Sequence, residues 1–233
     1  RKRYKEIKKQ ILKNKEEAVY RAIEREGIIP VAVIENTEQA VPLAKALWCG
    51  GIHSVEVTFR TKGAQQAIWD IRKAYPDMLV GAGTVLTKKQ VELARDAGAQ
   101  FLVSPGLDEK LLLYAGKRGM VMIPGCATPT EVQAAIKHGV RMIKLFPAKA
   151  CGGIDMISGL TAVYKNLRIM PTGGINKDTL EEYLSHPGVP ACGGSWMVKE
   201  ELLKNNDFNA VESLAKEAAE IAERARKMKA GKR

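Results

Sequence analysis

Cysteine, histidine and aromatic residues are all scarce in this 233-residue chain, which holds four cysteines, three histidines and 6% aromatics. The cysteines, Cys49, Cys126, Cys151 and Cys192, stand far apart and form no CxxC pair. That spacing argues against a disulfide-stapled scaffold or a thiolate metal site, and predicts reduced thiols in a cytoplasmic protein. His53, His138 and His186 are scattered and show no HExxH spacing, so metal catalysis is disfavoured and no metal site is predicted. No apolar run approaches the length needed to span a bilayer, and the start shows no signal-like segment, so no membrane association is expected. The chain also lacks a GxGxxG turn after its first apolar run, which argues against a doubly wound dinucleotide fold.

What the chain does have is positive charge, a formal +11, and its location decides what it means. Residues 1–27 hold ten basic against five acidic residues, residues 214–233 seven against three, which leaves +2 for everything between. Two charged terminal helices explain this better than a nucleic-acid surface, and nucleic acid is not an expected partner.

Between those ends runs a regular alternation. Apolar strand-like segments fall at 28–34, 53–57, 79–82, 100–103, 120–123, 141–145, 168–171 and 189–192. Helical patterns lie between them, at Glu38–Trp48, Ala64–Ala74, Lys88–Ala97, Glu109–Lys117, Pro129–Lys137, Ile154–Tyr164 and Asp178–Leu184. A basic helix from Tyr4 to Glu26, carrying Ile7, Ile11, Val19 and Ile23, precedes them, and a last helix runs from about Asp207 to Lys229. Eight strands alternating with helices predict an α/β fold, a (β/α)₈ TIM barrel with an extra N-terminal helix and a C-terminal helix. The expected division is an N-terminal helix over 1–27, one barrel over 28–206 and a C-terminal helix over 207–233.

Lys144 is out of place in this scheme. It sits in the sixth strand segment, Arg141-Met142-Ile143-Lys144-Leu145-Phe146-Pro147, which reads as buried on both faces. A buried ammonium is costly unless it is paired or gives up its proton, and a deprotonated lysine can form a Schiff base with a carbonyl substrate. A lysine at a strand end with its head in solvent or in an ion pair is the plainer reading. Glu56, flanked by Val55 and Val57 in the second strand, is the other misplaced charge. It is either a structural partner for Lys144 or the group that shuttles protons for it.

Barrel active sites form at the C-terminal strand ends, where Arg60 and Thr84 also fall and are plausible binders of a substrate carboxylate. The plainer readings put Arg60 on a solvated loop and Thr84 at the cap of the helix near Thr87. Gly173-Gly174 and Gly193-Gly194 follow the seventh and eighth strands, with Ser195 next, where such barrels often hold phosphate on backbone N–H groups.

At this point the motifs fall into a known pattern. Glu56 to Thr61, Val80 to Leu86, Val103 to Gly106, Ile123 to Gly125, Lys144 to Ala148, Pro171 to Ile175 and Gly193 to Trp196 occur in order. Together they resemble the 2-keto-3-deoxy-6-phosphogluconate (KDPG) aldolases, also called 4-hydroxy-2-oxoglutarate aldolases, over roughly residues 15–215. The resemblance implies a barrel, usually trimeric, that cleaves its phosphorylated 2-keto acid reversibly to pyruvate and glyceraldehyde 3-phosphate without a metal or other cofactor. It implies that Lys144 is the Schiff-base lysine and Glu56 the general acid/base, and that Arg60 and Thr84 hold the carboxylate. Thr172 would lie near the reacting carbons, with Phe146 and Pro105 walling the pyruvyl pocket. Gly173, Gly174, Gly193, Gly194 and Ser195 would cradle the phosphate. Cleavage of 4-hydroxy-2-oxoglutarate to pyruvate and glyoxylate is a further implied activity.

The chain departs from the family pattern at Glu35, where some relatives have arginine, and at Lys149, where glutamate is frequent. Residues 1–14 and Glu217 to Arg233, with a start at Arg1 rather than Met, read as rebuilt surface helices. An engineered self-assembling scaffold on a trimeric aldolase is therefore the alternative expectation. A sugar-phosphate epimerase ranks behind both, since only one good carboxylate stands at a core strand end.

Overall fold

The computed structural model describes residues 2–231, with side chains from residue 10 onward apart from residue 12. Arg1, Lys232, Arg233 and the side chain of Ile7, all included in the sequence expectations, lie outside the described residues. A long helix, α1 (Lys2–Glu26), leads into β1 (Ile28–Ala32). Strands and helices then alternate: α2 (Ala40–Cys49), β2 (Ser54–Thr58), α3 (Ala64–Ala74), β3 (Leu79–Gly83), α4 (Lys88–Asp96), β4 (Phe101–Val103) and α5 (Glu109–Lys117). There follow β5 (Val121–Ile123), β6 (Gly125–Cys126), α6 (Pro129–Lys137), β7 (Met142–Leu145), α7 (Gly153–Val163), β8 (Arg168–Pro171) and α8 (Lys177–Ser185). The chain closes with β9 (Cys192–Gly194), α9 (Glu200–Lys204) and α10 (Phe208–Ala230).

Local chemistry sets the helix starts. Thr87 with Gln90 and Thr128 with Glu131 form reciprocal capping boxes on α4 and α6, and the Asp108 carboxylate accepts the Leu111 N–H at the start of α5. Thr87, not Thr84, is therefore the cap on α4. All strand pairings are parallel, as expected where helices cover the sheet. Six strands form one sheet in the order β5-β4-β3-β2-β1-β9, and β6-β7-β8 form a second. The fold is α/β with a curled parallel sheet.

The predicted fifth strand is present as β5; past Pro124, which lacks the N–H needed to continue a ladder, a further short strand, β6, pairs with β7 and was not expected. One strand expectation needs correction. The eighth lies at 192–194 rather than 189–192. Gly193 and Gly194, read as a loop, are strand residues paired with Ile29 and Pro30 of β1. Glycine's weak strand preference hid them.

Side chains alternate between two packed layers. One face of the strands joins the helices in a large core that includes Val55, Val57, Val80, Leu102, Ile143 and Ile169. The other face forms a smaller cluster of Ile29, Leu79, Phe101, Val103, Val121, Ile123, Met142 and Met170. Val19, Tyr20 and Ile23 of α1 belong to this inner cluster, so α1 stoppers one end of the curl. The C-terminal helix also has a buried face. Ala218, Ile221, Ala222 and Ala225 are buried in the large core, so this helix packs on the body of the fold rather than extending away from it. Most of its charged residues occupy the outward face, as on an amphipathic helix, while Lys229 reaches the His186 and Val189 carbonyls. No helix among the described residues is long and apolar enough to cross a membrane.

Candidate active site

Glu56 and Lys144 project to the same interior. Ser54, Glu56 and Thr58 alternate with Val55 and Val57, and only the two valines are in the outer core. Lys144 likewise alternates with Ile143 and Leu145. Glu56 is fully buried and Lys144 is 5% exposed. The Lys144 Nζ stands 3.6 Å from Glu56 Oε1, and neither Glu56 carboxylate oxygen has a hydrogen-bond partner. The nearest support for the ammonium besides Glu56 is the Phe146 ring, its centroid 5.1 Å from Nζ. A buried ion pair without further hydrogen bonds contributes little to stability, because desolvation offsets attraction. Such an arrangement is more useful to chemistry than to folding.

The space around the pair is arranged by the adjacent strands. A Cβ on Gly83 would lie 2.0 Å from Glu56 Oε1, so only glycine at the end of β3 leaves room for the carboxylate. Gly125, paired in register with Lys144, sits against the Pro105 carbonyl, and a Cβ there would lie 2.1 Å from it. Pro105 is half-buried at this junction.

Arg60 and Thr84 come together from β2 and β3. The Arg60 Nε donates to Thr84 Oγ1 at 3.4 Å. Thr84 has φ 54°, a left-handed conformation that costs a non-glycine residue roughly 1–3 kcal/mol and concentrates at functional sites.

A cavity of about 330 Å³ opens beside them, lined by Arg60, Phe146, Thr172, Gly173, Gly174, Gly193, Gly194 and Ser195 together with Lys199 and Glu200. Eight of the twelve predicted site residues therefore share one wall. Lys144, Glu56, Thr84 and Pro105 do not line that cavity. Lys144 and Thr84 connect to it through Phe146 and Arg60 respectively. The Thr172 Oγ1 is buried without a hydrogen-bond partner, an acceptor and donor held ready inside the site. Lys199 and Glu200 escaped sequence reading because they lie past the last strand, in a segment not assigned to any element. Glu35 does not line the cavity.

Cys126, the thiol next to Gly125, packs outward into the large core. Burial, with a smaller contribution from Glu131, pushes it up to about 12, so it is no nucleophile at neutral pH. All four cysteines are free thiols. Among the described residues, no three His, Cys, Asp or Glu side chains gather as they would to hold a metal.

The sequence model of the KDPG and KHG aldolase family matches residues 19–214. The chain belongs to this family. The 2-dehydro-3-deoxy-phosphogluconate aldolase of Treponema pallidum is 46% identical over 203 residues, spanning 87% of this chain and 97% of that protein. The KHG/KDPG aldolase of Escherichia coli K12 is 41% identical, over 84% of this chain and 92% of its own. Among solved structures, the KDPG aldolase of Legionella pneumophila, with pyruvate captured as a covalent carbinolamine, superposes with a TM-score of 0.81. It is 42% identical, over 85% of this chain and 95% of that one.

Proposed function

We propose that this chain is a class I aldolase that cleaves 2-keto-3-deoxy-6-phosphogluconate to pyruvate and glyceraldehyde 3-phosphate through a Schiff base on Lys144. The observation that carries this reading is the buried Lys144–Glu56 pair, 3.6 Å apart, joined through the Phe146 ring, its centroid 5.1 Å from Lys144 Nζ, to a cavity lined by glycine backbone. Lys144 passes a proton to Glu56 and attacks the C2 keto carbon, giving a carbinolamine. Glu56 returns a proton to its hydroxyl, water leaves, and an iminium forms. Glu56 then takes the proton of the C4 hydroxyl as the C3–C4 bond breaks, and the electron pair moves into the iminium as an enamine. The aldehyde departs, C3 is protonated, and water returns to release pyruvate and the free lysine.

Arg60 and Thr84 orient the C1 carboxylate, Thr172 lies by the reacting carbons, and Phe146 and Pro105 wall the pyruvyl group. Gly173, Gly174, Gly193, Gly194 and Ser195 receive the phosphate. The capture of pyruvate as a carbinolamine on the Legionella relative supports this covalent route. A lysine iminium serves as the electron sink, so neither metal nor other cofactor is required. The same site accommodates 4-hydroxy-2-oxoglutarate, with glyoxylate as the second product.

The two sheets are read as parts of one closed (β/α)₈ barrel over residues 28–206, with residues 1–27 and 207–233 as its flanking helices. The Thr172–Gly193 bridge links β8 to β9, and the Lys144 N–H donates to Pro124 O at 2.9 Å across the β5–β6 break. A cytoplasmic homotrimer is the proposed working form, its reducing compartment supported by the four free thiols. A designed cage built by fusing symmetric oligomeric domains is 27% identical with a TM-score of 0.80, and this chain covers 75% of it. Light scattering separates the forms: the mass of three chains supports the trimer, and a far larger particle supports the scaffold alternative.

The direct test is steady-state cleavage of KDPG coupled to pyruvate detection, with and without a strong chelator. Pyruvate release that the chelator leaves intact is the expected result. No release, or release abolished by the chelator, would overturn the assignment.

A further inference from the structure

The charges around the phosphate end of the cavity are unevenly paired. Glu200 lines the wall, but its carboxylate is bound by Lys204 at 2.5 Å, and Glu35 acts on the same Lys204 ammonium. Glu200, the acid lining this wall, is thus drawn toward Lys204, as is Glu35. Lys199 lines the same cavity and has no ion pair among the described residues.

Lys149 approaches the glycine loop from another side. Its backbone N–H donates to Gly173 O at 3.0 Å. A Cβ built on Gly174 would fall 2.5 Å from Lys149 Cβ, 3.0 Å from Cδ and 3.3 Å from Cγ. The lysine stem therefore lies flat along Gly174, where only a glycine, here at φ 81°, leaves room for it. The ammonium is two bonds beyond Cδ and so within reach of the glycine loop, although Lys149 itself does not line the cavity. Lys149 is exposed and also has no ion pair among the described residues.

We propose that Lys199 and Lys149 form a cationic clamp on the substrate's phosphate and set a preference for phosphorylated over unphosphorylated 2-keto acids. The inference rests on the aldolase reading and adds to it the residues that choose the substrate. Glycine N–H groups and a serine hydroxyl supply neutral donors, which any anion or water can satisfy. Two unpaired ammonium groups from separate loops add attraction that grows with the charge of the ligand and is felt by a dianion most. The same sugar acid without its phosphate, 2-keto-3-deoxygluconate, places a neutral hydroxyl there, so the lysines contribute little to its turnover. Screening by salt gives a second signature, because both lysines are exposed.

The experiment compares kcat/KM on KDPG and on its unphosphorylated counterpart, 2-keto-3-deoxygluconate, for wild type, K149A, K199A and the double variant, with K199R as the charge-preserving control. The ratio of the two kcat/KM values is expected to fall about twofold to fivefold for each lysine removed, through KM, as for charged contacts at exposed sites. The K199R variant should regain most of the ratio, and rising salt should lower it more in wild type than in the double variant. A ratio that holds in the double variant, or equal losses on both substrates, would overturn the clamp. Inorganic phosphate, titrated by calorimetry, tests the clamp apart from catalysis. If wild type cleaves neither substrate, the aldolase reading fails, and the clamp stands only if phosphate binds wild type several-fold tighter than the double variant. Matching unfolding midpoints for all variants would assign these differences to the site rather than to folding.

Discussion

Gly83 is one of several glycines about the site and one of the most constrained. The Glu56 carboxylate occupies the space where a side chain at 83 would start, 2.0 Å from an added Cβ. Both partners are backbone-anchored in neighbouring strands, paired through Glu56–Gly81 and Thr58–Gly83, so neither backbone can retreat and the Glu56 side chain must give way. Gly83→Ala is expected to push Glu56 away from Lys144, costing about 1–3 kcal/mol of stability as overpacked cores do. It should also lower kcat by about a hundredfold or more, the range for losing a positioned acid/base. Chemical denaturation and steady-state kinetics measure the two effects. A variant of wild-type stability and rate would mean that the carboxylate does not need this space. The Glu56 and Lys144 assignments were legible because charge in a buried strand violates the strand pattern. Thr172 carried no such violation, and neither did Lys199. Their places depend on how two remote loops meet.

At the scale of elements, α1 shows how a charged helix can be structural. Its Glu17 accepts from Arg168 at 3.1 Å and pairs with Arg141 at 3.0 Å, while both guanidinium groups lie over the Tyr20 ring. Burial raises the Glu17 pKa, but the Arg168 hydrogen bond and the charges of Arg168, Arg141 and Arg21 outweigh it and hold the group below its ordinary 4.5. A carboxylate depressed in the folded state stabilises above its unfolded pKa, and that contribution is lost as pH falls through the folded value. Docking of α1 should therefore loosen selectively in acid, below about pH 4.5, and amide hydrogen exchange in 15–26 measures it. Glu17→Gln should remove most of that pH dependence; an unchanged acid profile in the variant would contradict the account. The basic composition of residues 1–27 pointed to a solvated helix, and the three apolar residues that seal the curl were too few to shift that reading. The helix boundaries in the middle of the chain were legible to within a few residues, since Thr87, Asp108, Thr128 and the terminal glycines mark them chemically. The segment from Trp196 to Lys204, a short 3₁₀ turn followed by α9, is too brief to generate a periodic pattern, and so the cavity wall it supplies was missed.

For the whole molecule, the order of strands and helices was readable because each unit repeats the same burial pattern, and parallel pairing followed from it. Ladder breaks were not readable in the same way. Pro124 interrupts a strand that is otherwise continuous in burial, and Gly193-Gly194 reads as a turn although both residues pair with β1. Fold and site converge on one claim: a lysine placed inside a parallel sheet, facing a carboxylate with no other partner, is there to capture a carbonyl. Borohydride reduction of the protein in the presence of pyruvate, followed by peptide mass spectrometry, tests that claim most directly. The account predicts a stable pyruvyl adduct on Lys144, absent without pyruvate and absent in Lys144→Met. No adduct, or an adduct on another lysine that survives in Lys144→Met, would contradict it.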